Sequence, residues 1–284
     1  MTRIGIVTDS TCDLGPARAA ELDVSMIPLK VTFGDHTYRD WLDMEPARFY
    51  EMLGAATVLP KTSQPSPADF ANEYRRLAEA GCSGIVSVHL SAAVSGTFES
   101  AILATGMVDI PVRVVDTHST NVGLVLPLLA AVEARDAGAG LDEVEAAART
   151  AVASTRTLFA LDTLEYLVKG GRAGRAQGLA ASLLSIKPVL TFDEDGVISA
   201  YKKVKGSKKA IQEIAEAIAD AAVDGQTVRV GILHGESPTL AAELIAAISA
   251  TGVAFEVVTT NTVGAVIGTY TGPRAVGAAF TVVR

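Results

Sequence analysis

Ile85-Val-Ser-Val-His-Leu90 is an apolar run that opens into the hydroxyl-rich loop Ser91-Ala-Ala-Val-Ser-Gly-Thr97 and then into a helical pattern reaching Met107. Val112-Arg-Val-Val115 repeats the scheme, ending in Asp116-Thr-His-Ser-Thr120 before another helical stretch. Strand, polar loop and helix in that order are the sequence signature of parallel strands joined by crossover helices. Working outward, Ile4 to Thr8 reads as a buried strand with Asp9 and Ser10 at its carboxyl end, followed by a short helix over Pro16 to Leu22. Ser25 to Phe33, the turn Gly34-Asp35 and His36 to Tyr38 read as a strand and hairpin. Asp43 is placed to cap a helix over Glu45 to Leu53. The stiff segment Pro60-Lys-Thr-Ser-Gln-Pro-Ser-Pro67 leads to a helix that Ser66 and Asp69 would cap, running to about Ala80.

A helix over Leu141 to Ala153 closes this half, and a second set of elements begins at the strand Thr157 to Leu161. A helix near Thr163 to Val168, the basic turn Lys169-Gly-Gly-Arg-Ala-Gly-Arg175 and an apolar helical stretch to Leu184 come next. Lys187 to Phe192 and Val197 to Val204, joined by Asp193-Glu-Asp-Gly196, read as an antiparallel pair. Helices over Lys208 to Ala222 and Thr239 to Ala250, with strands at Val228 to His234 and near Phe255 and Phe280, complete the chain. The expected fold is therefore α/β in two domains. Residues 1–150 form a Rossmann-like domain with a parallel sheet, and residues 151–284 an α/β domain with a mixed sheet.

Composition narrows the function. The chain of 284 residues is 49% hydrophobic and 20% charged, which fits a globular protein with a large core, and its 5% aromatic content makes that core aliphatic. A net charge of −8 lacks the basic surface that general nucleic-acid binding needs. The longest apolar stretch, near Val122 to Val132, falls well short of the ~18 residues of a membrane span, so no stable membrane insertion is expected. The mean hydropathy of +0.33 then reflects a buried core or an apolar pocket. Two cysteines, Cys12 and Cys82, suggest no disulfide framework and fit a reducing, cytoplasmic setting.

Three polar loops follow strands or precede helices: Thr8-Asp-Ser-Thr11, Thr62-Ser-Gln-Pro-Ser66 and Ser91 to Thr97. Hydroxyls and backbone amides suit a carboxylate or phosphate, because they donate hydrogen bonds without a countercharge. The same residues also serve as ordinary helix caps. The four histidines have no metal-ligand spacing, so no metal is expected. A serine hydrolase with Ser95 as nucleophile and His89 or His118 as base remains an alternative, although Ala93-Val-Ser-Gly-Thr97 lacks the first glycine of a nucleophile elbow. A phosphotransferase acting on a small acidic substrate is the other enzymatic alternative. The glycines at 170, 171 and 174 follow a helix and match no nucleotide loop; Arg172 and Arg175 beside them suit a phosphate or a partner.

Taken in order, these motifs resemble the DegV family, bacterial fatty-acid-binding proteins whose better-understood members deliver fatty acid to a separate fatty-acid kinase. The resemblance runs through Thr8-Asp-Ser-Thr11, Ile27-Pro-Leu29, Thr62-Ser-Gln-Pro-Ser66, Leu90-Ser91, Ser95-Gly-Thr97, Lys169-Gly-Gly-Arg172, Ile186-Lys-Pro-Val-Leu190, Asp195-Gly196 and Gly272-Pro273. It implies one long-chain fatty acid, such as palmitate, buried between or within the domains, with no other cofactor and no catalysis by the chain itself. It also implies that Thr62 and Ser95 hold the carboxylate and that Arg172 faces a kinase. Ser63, Ser91 and Gly96, from the same loops, and Tyr270 are the supporting residues. Relatives commonly carry histidine where Tyr270 stands, glycine at Arg274 and arginine at Lys205. A phenol can still bond a carboxylate but does not readily take up a proton near neutral pH. Helical stretches over Leu124 to Val132 and Leu179 to Leu184 are candidates for lining the acyl tail. A basic stretch from Lys202 to Lys209 is a candidate docking surface.

Overall fold

The computed structural model describes residues 3–182, 187–222 and 225–282. The first half begins with β1 (Arg3–Asp9), α1 (Gly15–Glu21) and β2 (Val24–Ile27). It continues with β3 (Lys30–Phe33), β4 (His36–Arg39), α2 (Pro46–Ala55) and β5 (Lys61–Ser63). Then come α3 (Pro67–Glu79), β6 (Cys82–His89), α4 (Thr97–Thr105), β7 (Val112–Asp116), α5 (Val122–Asp136) and α6 (Leu141–Ser154). Strands β2, β1, β6 and β7 lie side by side in that order and all run parallel. β1 and β6 are buried along nearly their whole length, which is why both read as almost continuous apolar runs. The strand order reverses between β1 and β6, so their carboxyl ends, Asp9 and His89, flank the switch-point crevice where open α/β sheets bind ligands.

The second half contains β8 (Arg156–Ala160), α7 (Glu165–Lys169), β9 (Lys187–Phe192), β10 (Ile198–Val204) and α8 (Ser207–Ala221). It ends with β11 (Val228–His234), α9 (Pro238–Ala250), β12 (Phe255–Thr262), α10 (Ala265–Thr271) and β13 (Val276–Val282). Its six strands form one mixed sheet in the order β10-β9-β8-β13-β11-β12, with only β11 and β12 parallel. Helices α8 and α9 bury one face of it in an aliphatic cluster.

Helix α5 packs against β1 and β6 of the first sheet and against β11 and β13 of the second. A helix held between two sheets has little solvent face outside its last turn, where Glu133 and Asp136 are exposed, which accounts for its being apolar nearly all round before that. The approach is close: a Cβ on Gly231 of β11 would stand 2.9 Å from Cβ of Val122. Leu124, Val125, Leu128 and Val132 are spent on the first-sheet core and do not line a tail, contrary to the expectation for Leu124 to Val132.

The remaining strands make a small antiparallel sheet, β4-β3-β5, which α2 and α10 cover. Ser25 to Phe33 is thus not one strand. Pro28, lacking an N–H, ends the ladder, so β2 joins the parallel sheet while β3 joins the small one. Asp43 does not cap α2 either; its carboxylate grips Arg39 at 2.7 and 2.8 Å, and Glu45 precedes the helix without a side-chain cap. The predicted capping box on α3 is present, with Ser66 and Asp69 bonding each other's backbone. Gly174 to Ser182 forms tight 3₁₀ turns in place of the expected helical stretch, whose last residues, Leu183 and Leu184, lie outside the described residues.

Candidate functional site

A cavity of about 370 Å³ lies between the second sheet, α10 and the loops at the carboxyl ends of the first sheet. Its walls are mainly aliphatic and aromatic: Leu29, Leu90, Phe159, Leu167, Phe192, Ile198, Leu233, Val263, Val266 and Ile267 contribute. Its polar end is formed by Thr62 and Ser63 of β5, Gln64, Ser95, Arg172 and Tyr270. Among the described residues lining it, Arg172 is the only charged one. Thr120, Asn121, Thr157 and Thr271 add further polar groups to the lining, and a mainly apolar interior with a few convergent hydroxyls is what a carboxylic acid with a long tail requires.

Each polar group has an identifiable local cause. Thr62 sits opposite Val31 in the small sheet, which fixes its backbone, and its hydroxyl shares a 2.5 Å hydrogen bond with the Tyr270 phenol of α10. Ser95 stands just before α4, where its Oγ accepts from Thr97 N at 3.3 Å and pairs with Thr97 Oγ1 at 2.9 Å. Helix α4 begins at Gly96 without a side-chain cap, so amide donors at its first turn stand beside the Ser95 hydroxyl. Gln64 bridges the two loops by donating to the carbonyl of Gly96 and to Ser100 Oγ, each at 3.2 Å. Gly96 supports this contact by size, since a Cβ there would stand 2.4 Å from the Gln64 amide oxygen.

The glycine-rich turn after α7 wraps Tyr270. A Cβ on Gly170 would stand 2.4 Å from the Tyr270 ring, and the Arg172 guanidinium lies 5.0 Å from the ring centroid. Arg172 is anchored by donating to the Gly170 carbonyl at 3.0 Å and, more weakly, to the Val94 carbonyl at 3.4 Å. Stacking of a cation on an aromatic face is favourable and leaves the remaining guanidinium donors free for an anion. Thr62, Arg172 and Tyr270 also line a second cleft of about 690 Å³, together with Lys61, Glu165 and Lys169. They form the wall between the apolar cavity and this outer, charged cleft.

Thr62, Ser63, Ser95, Arg172 and Tyr270 thus come together at one end of one cavity, while Ser91 and Gly96 are set back from it. The Ser91 hydroxyl is spent on the Gly196 carbonyl at 2.8 Å, tying the Ser91 loop to the β9–β10 turn. Beyond Tyr270, the sequence alone does not single out Gln64, the α10 residues Val266, Ile267 and Thr271, or Asn121 at the start of α5. The seven residues of α10, with Gly268 inside and β-branched side chains at Val266, Ile267, Thr269 and Thr271, give little helical signal in the sequence.

His89 is unavailable as a base for Ser95. Its Nδ1 pairs with Asp9 at 2.9 Å and its Nε2 with Ser87 Oγ at 2.6 Å, and Ser87 in turn accepts from the Tyr74 phenol. All four side chains are buried, so this Asp–His–Ser chain braces the β1–β6 crevice and has no opening for a substrate. His118 is exposed and faces a different cleft, with Arg156 and Asp193. Among the described residues no cluster of side chains fits a metal ion, and no helix is long and apolar enough to cross a membrane.

A parallel sheet and a mixed sheet enclosing an apolar cavity with a hydroxyl-lined end define an α/β small-molecule-binding protein. The family model described as "Uncharacterised protein, DegV family" matches residues 3–282, and the chain belongs to the DegV family. It is 34% identical over 281 residues to a fatty acid-binding protein of Thermotoga maritima, covering 97% of this chain and 96% of that one. Among solved structures, a DegV family protein from Thermus thermophilus, described for its fatty acid binding, superposes with a TM-score of 0.93 at 35% identity, covering 99% of this chain and 100% of that one. DegV of Bacillus subtilis, described as a fatty acid binding protein, superposes with a TM-score of 0.88 at 32% identity, covering 99% of both chains.

Proposed function

We propose that this protein binds one long-chain fatty acid, with the tail in the apolar cavity and the carboxylate at Thr62, Ser95 and Tyr270. The observation that supports it most is the meeting of a mainly apolar cavity with these hydroxyls. Burying each CH₂ contributes about 0.8 kcal/mol, so a sixteen-carbon tail such as that of palmitate gains on the order of 10 kcal/mol before ordering costs. The tail therefore dominates affinity, and the head group needs only to be satisfied. An ionised carboxylate is costly in a dry site unless several donors face it, and the two hydroxyls, the phenol and the Arg172 guanidinium at the same end are those donors. In this reading the first unit, residues 1–150, supplies Thr62 and Ser95 to the head group, and the second, residues 151–284, supplies Tyr270 and most of the cover over the chain.

The protein acts as a carrier with no turnover of its own, working in the cytoplasm. The outer cleft carrying Lys61, Lys169 and Arg172 favours one addition: the carboxylate is presented there to a separate kinase. The test of the binding reading is equilibrium titration with palmitate of the wild type and of the Thr62→Ala/Ser95→Ala double variant. Tight wild-type binding that weakens in the double variant supports it; equal affinity removes the head-group assignment.

A further inference from the structure

Asp13 and Asp40 are carboxylates buried at the junction of the two sheets, outside the head-group site. Asp40 follows β4. Its Oδ2 accepts from Ser10 Oγ at 2.8 Å and its Oδ1 from the Ala265 amide at 3.1 Å. Asp13, in the turn after β1, accepts from Trp41 Nε1 at 2.8 Å and from Asn121 Nδ2 at 2.5 Å. The Gly264 amide also faces Asp13, and the Val266 amide faces Asp40. Three successive amides at the start of α10 therefore point at two acids from the first half of the chain. Gly264 is required by space: a Cβ there would stand 2.4 Å from Asp13 Oδ1 and 2.6 Å from Trp41 Nε1.

Both arms of this arrangement reach the lipid cavity. Helix α10 carries Val266, Ile267, Tyr270 and Thr271 in the cavity wall, and Asn121 lines the same cavity. Leu29, another lining residue, donates its backbone N–H to Ser10 Oγ, the same oxygen that donates to Asp40. Partly positive amides at a helix start are held by acids, so removing a carboxylate frees the end of α10 opposite Tyr270.

We infer that Asp13 and Asp40 form a carboxylate latch that seats α10 and thereby positions the Tyr270 phenol against Thr62 for fatty-acid binding. The latch residues are positioning residues; neither lines the cavity. The inference rests on the fatty-acid reading above. It also makes Trp41 a reporter, because the only tryptophan in the chain donates its indole N–H to the latch.

The experiment is palmitate titration of wild type, Asp40→Ala, Tyr270→Phe and the Asp40→Ala/Tyr270→Phe double variant, with Trp41 emission recorded in parallel. If Asp40 acts through Tyr270, each single change weakens binding by about tenfold and the double by little more than either. Trp41 emission changes on binding in the wild type, with the midpoint of the binding curve. Gly264→Ala keeps both acids and Tyr270 but crowds the latch, and it weakens palmitate binding in the same way, so the inference stays testable if Asp40→Ala fails to fold. Losses that multiply to about a hundredfold in the double variant overturn the latch, as does wild-type affinity in Asp40→Ala or Gly264→Ala, or an unresponsive Trp41. A wild-type chain that binds no palmitate refutes the lipid reading itself, whereas wild-type binding with unaffected variants refutes the latch alone.

Discussion

Thr62 and Tyr270 are 208 residues apart in the chain and share a 2.5 Å hydrogen bond at the polar end of the cavity. One comes from the small sheet and the other from α10, so the proposed head-group site draws on both halves of the chain. Removing either oxygen leaves a charged head group short of a donor. Thr62→Val and Tyr270→Phe are each expected to weaken fatty-acid binding about tenfold, roughly 1.5 kcal/mol, while leaving the fold intact. Competition with a fluorescent fatty acid measures this, and wild-type affinity in both variants contradicts it.

Ala275 is fully buried and lines the cavity. Ala275→Leu projects extra methylenes into the space a tail would fill, and overpacking of this kind typically costs 1–3 kcal/mol where no room exists. Binding of the longest acids is expected to fall first, with shorter ones retained. A series of saturated acids from ten to eighteen carbons, titrated against both proteins, reads this directly; a uniform loss across the series argues against a tail in this space.

Burial pushes the Asp40 carboxyl up to about 7, and burial together with Asp40 raises Asp13 as well. A raised folded-state value means the folded protein holds protons that the unfolded chain has already lost. This contribution to stability is therefore present at low pH and is lost as pH rises from about 4 to about 7. Asp40→Asn removes the titration, so the melting-temperature advantage of wild type over variant shrinks between pH 5 and pH 7.5. A constant difference across that range contradicts the assignment.

His89 is braced on both ring nitrogens inside the β1–β6 crevice. His89→Ala removes one of the buried hydrogen-bond partners of Asp9, which keeps those from Thr11 and Leu90, a loss that typically costs about 1–3 kcal/mol. Chemical denaturation is expected to show that loss. Purified wild-type protein is expected to turn over no p-nitrophenyl ester, and Ser95-dependent ester hydrolysis would revive the hydrolase reading.

Local patterns were legible where chemistry is local. The apolar runs of β1 and β6, the capping box of α3 and the β9–β10 pair all appear where spacing and turn residues put them. The hydroxyl-rich loops that carry Thr62 and Ser95 are visible in the sequence, but their hydroxyls serve equally as helix caps, and only the family resemblance singles out those two residues. What was hidden depends on partners distant in the chain. The break at Pro28 sends β2 and β3 to different sheets, a choice made by their neighbours rather than by their own residues. Leu124 to Val132 has the composition of a tail-lining helix, yet two flanking sheets claim it as core. The Asp13–Asp40 arrangement leaves no trace in sequence, because a buried acid and an exposed one look alike until the fold brings α10 over them.

The most direct test of the central claim is the mass of whatever lipid leaves the protein when it is purified from bacterial cytosol and denatured. A long-chain fatty acid is expected at close to one per chain, lost or diminished in the Thr62→Ala/Ser95→Ala variant. A lipid-free protein that also fails to take up added palmitate would contradict it.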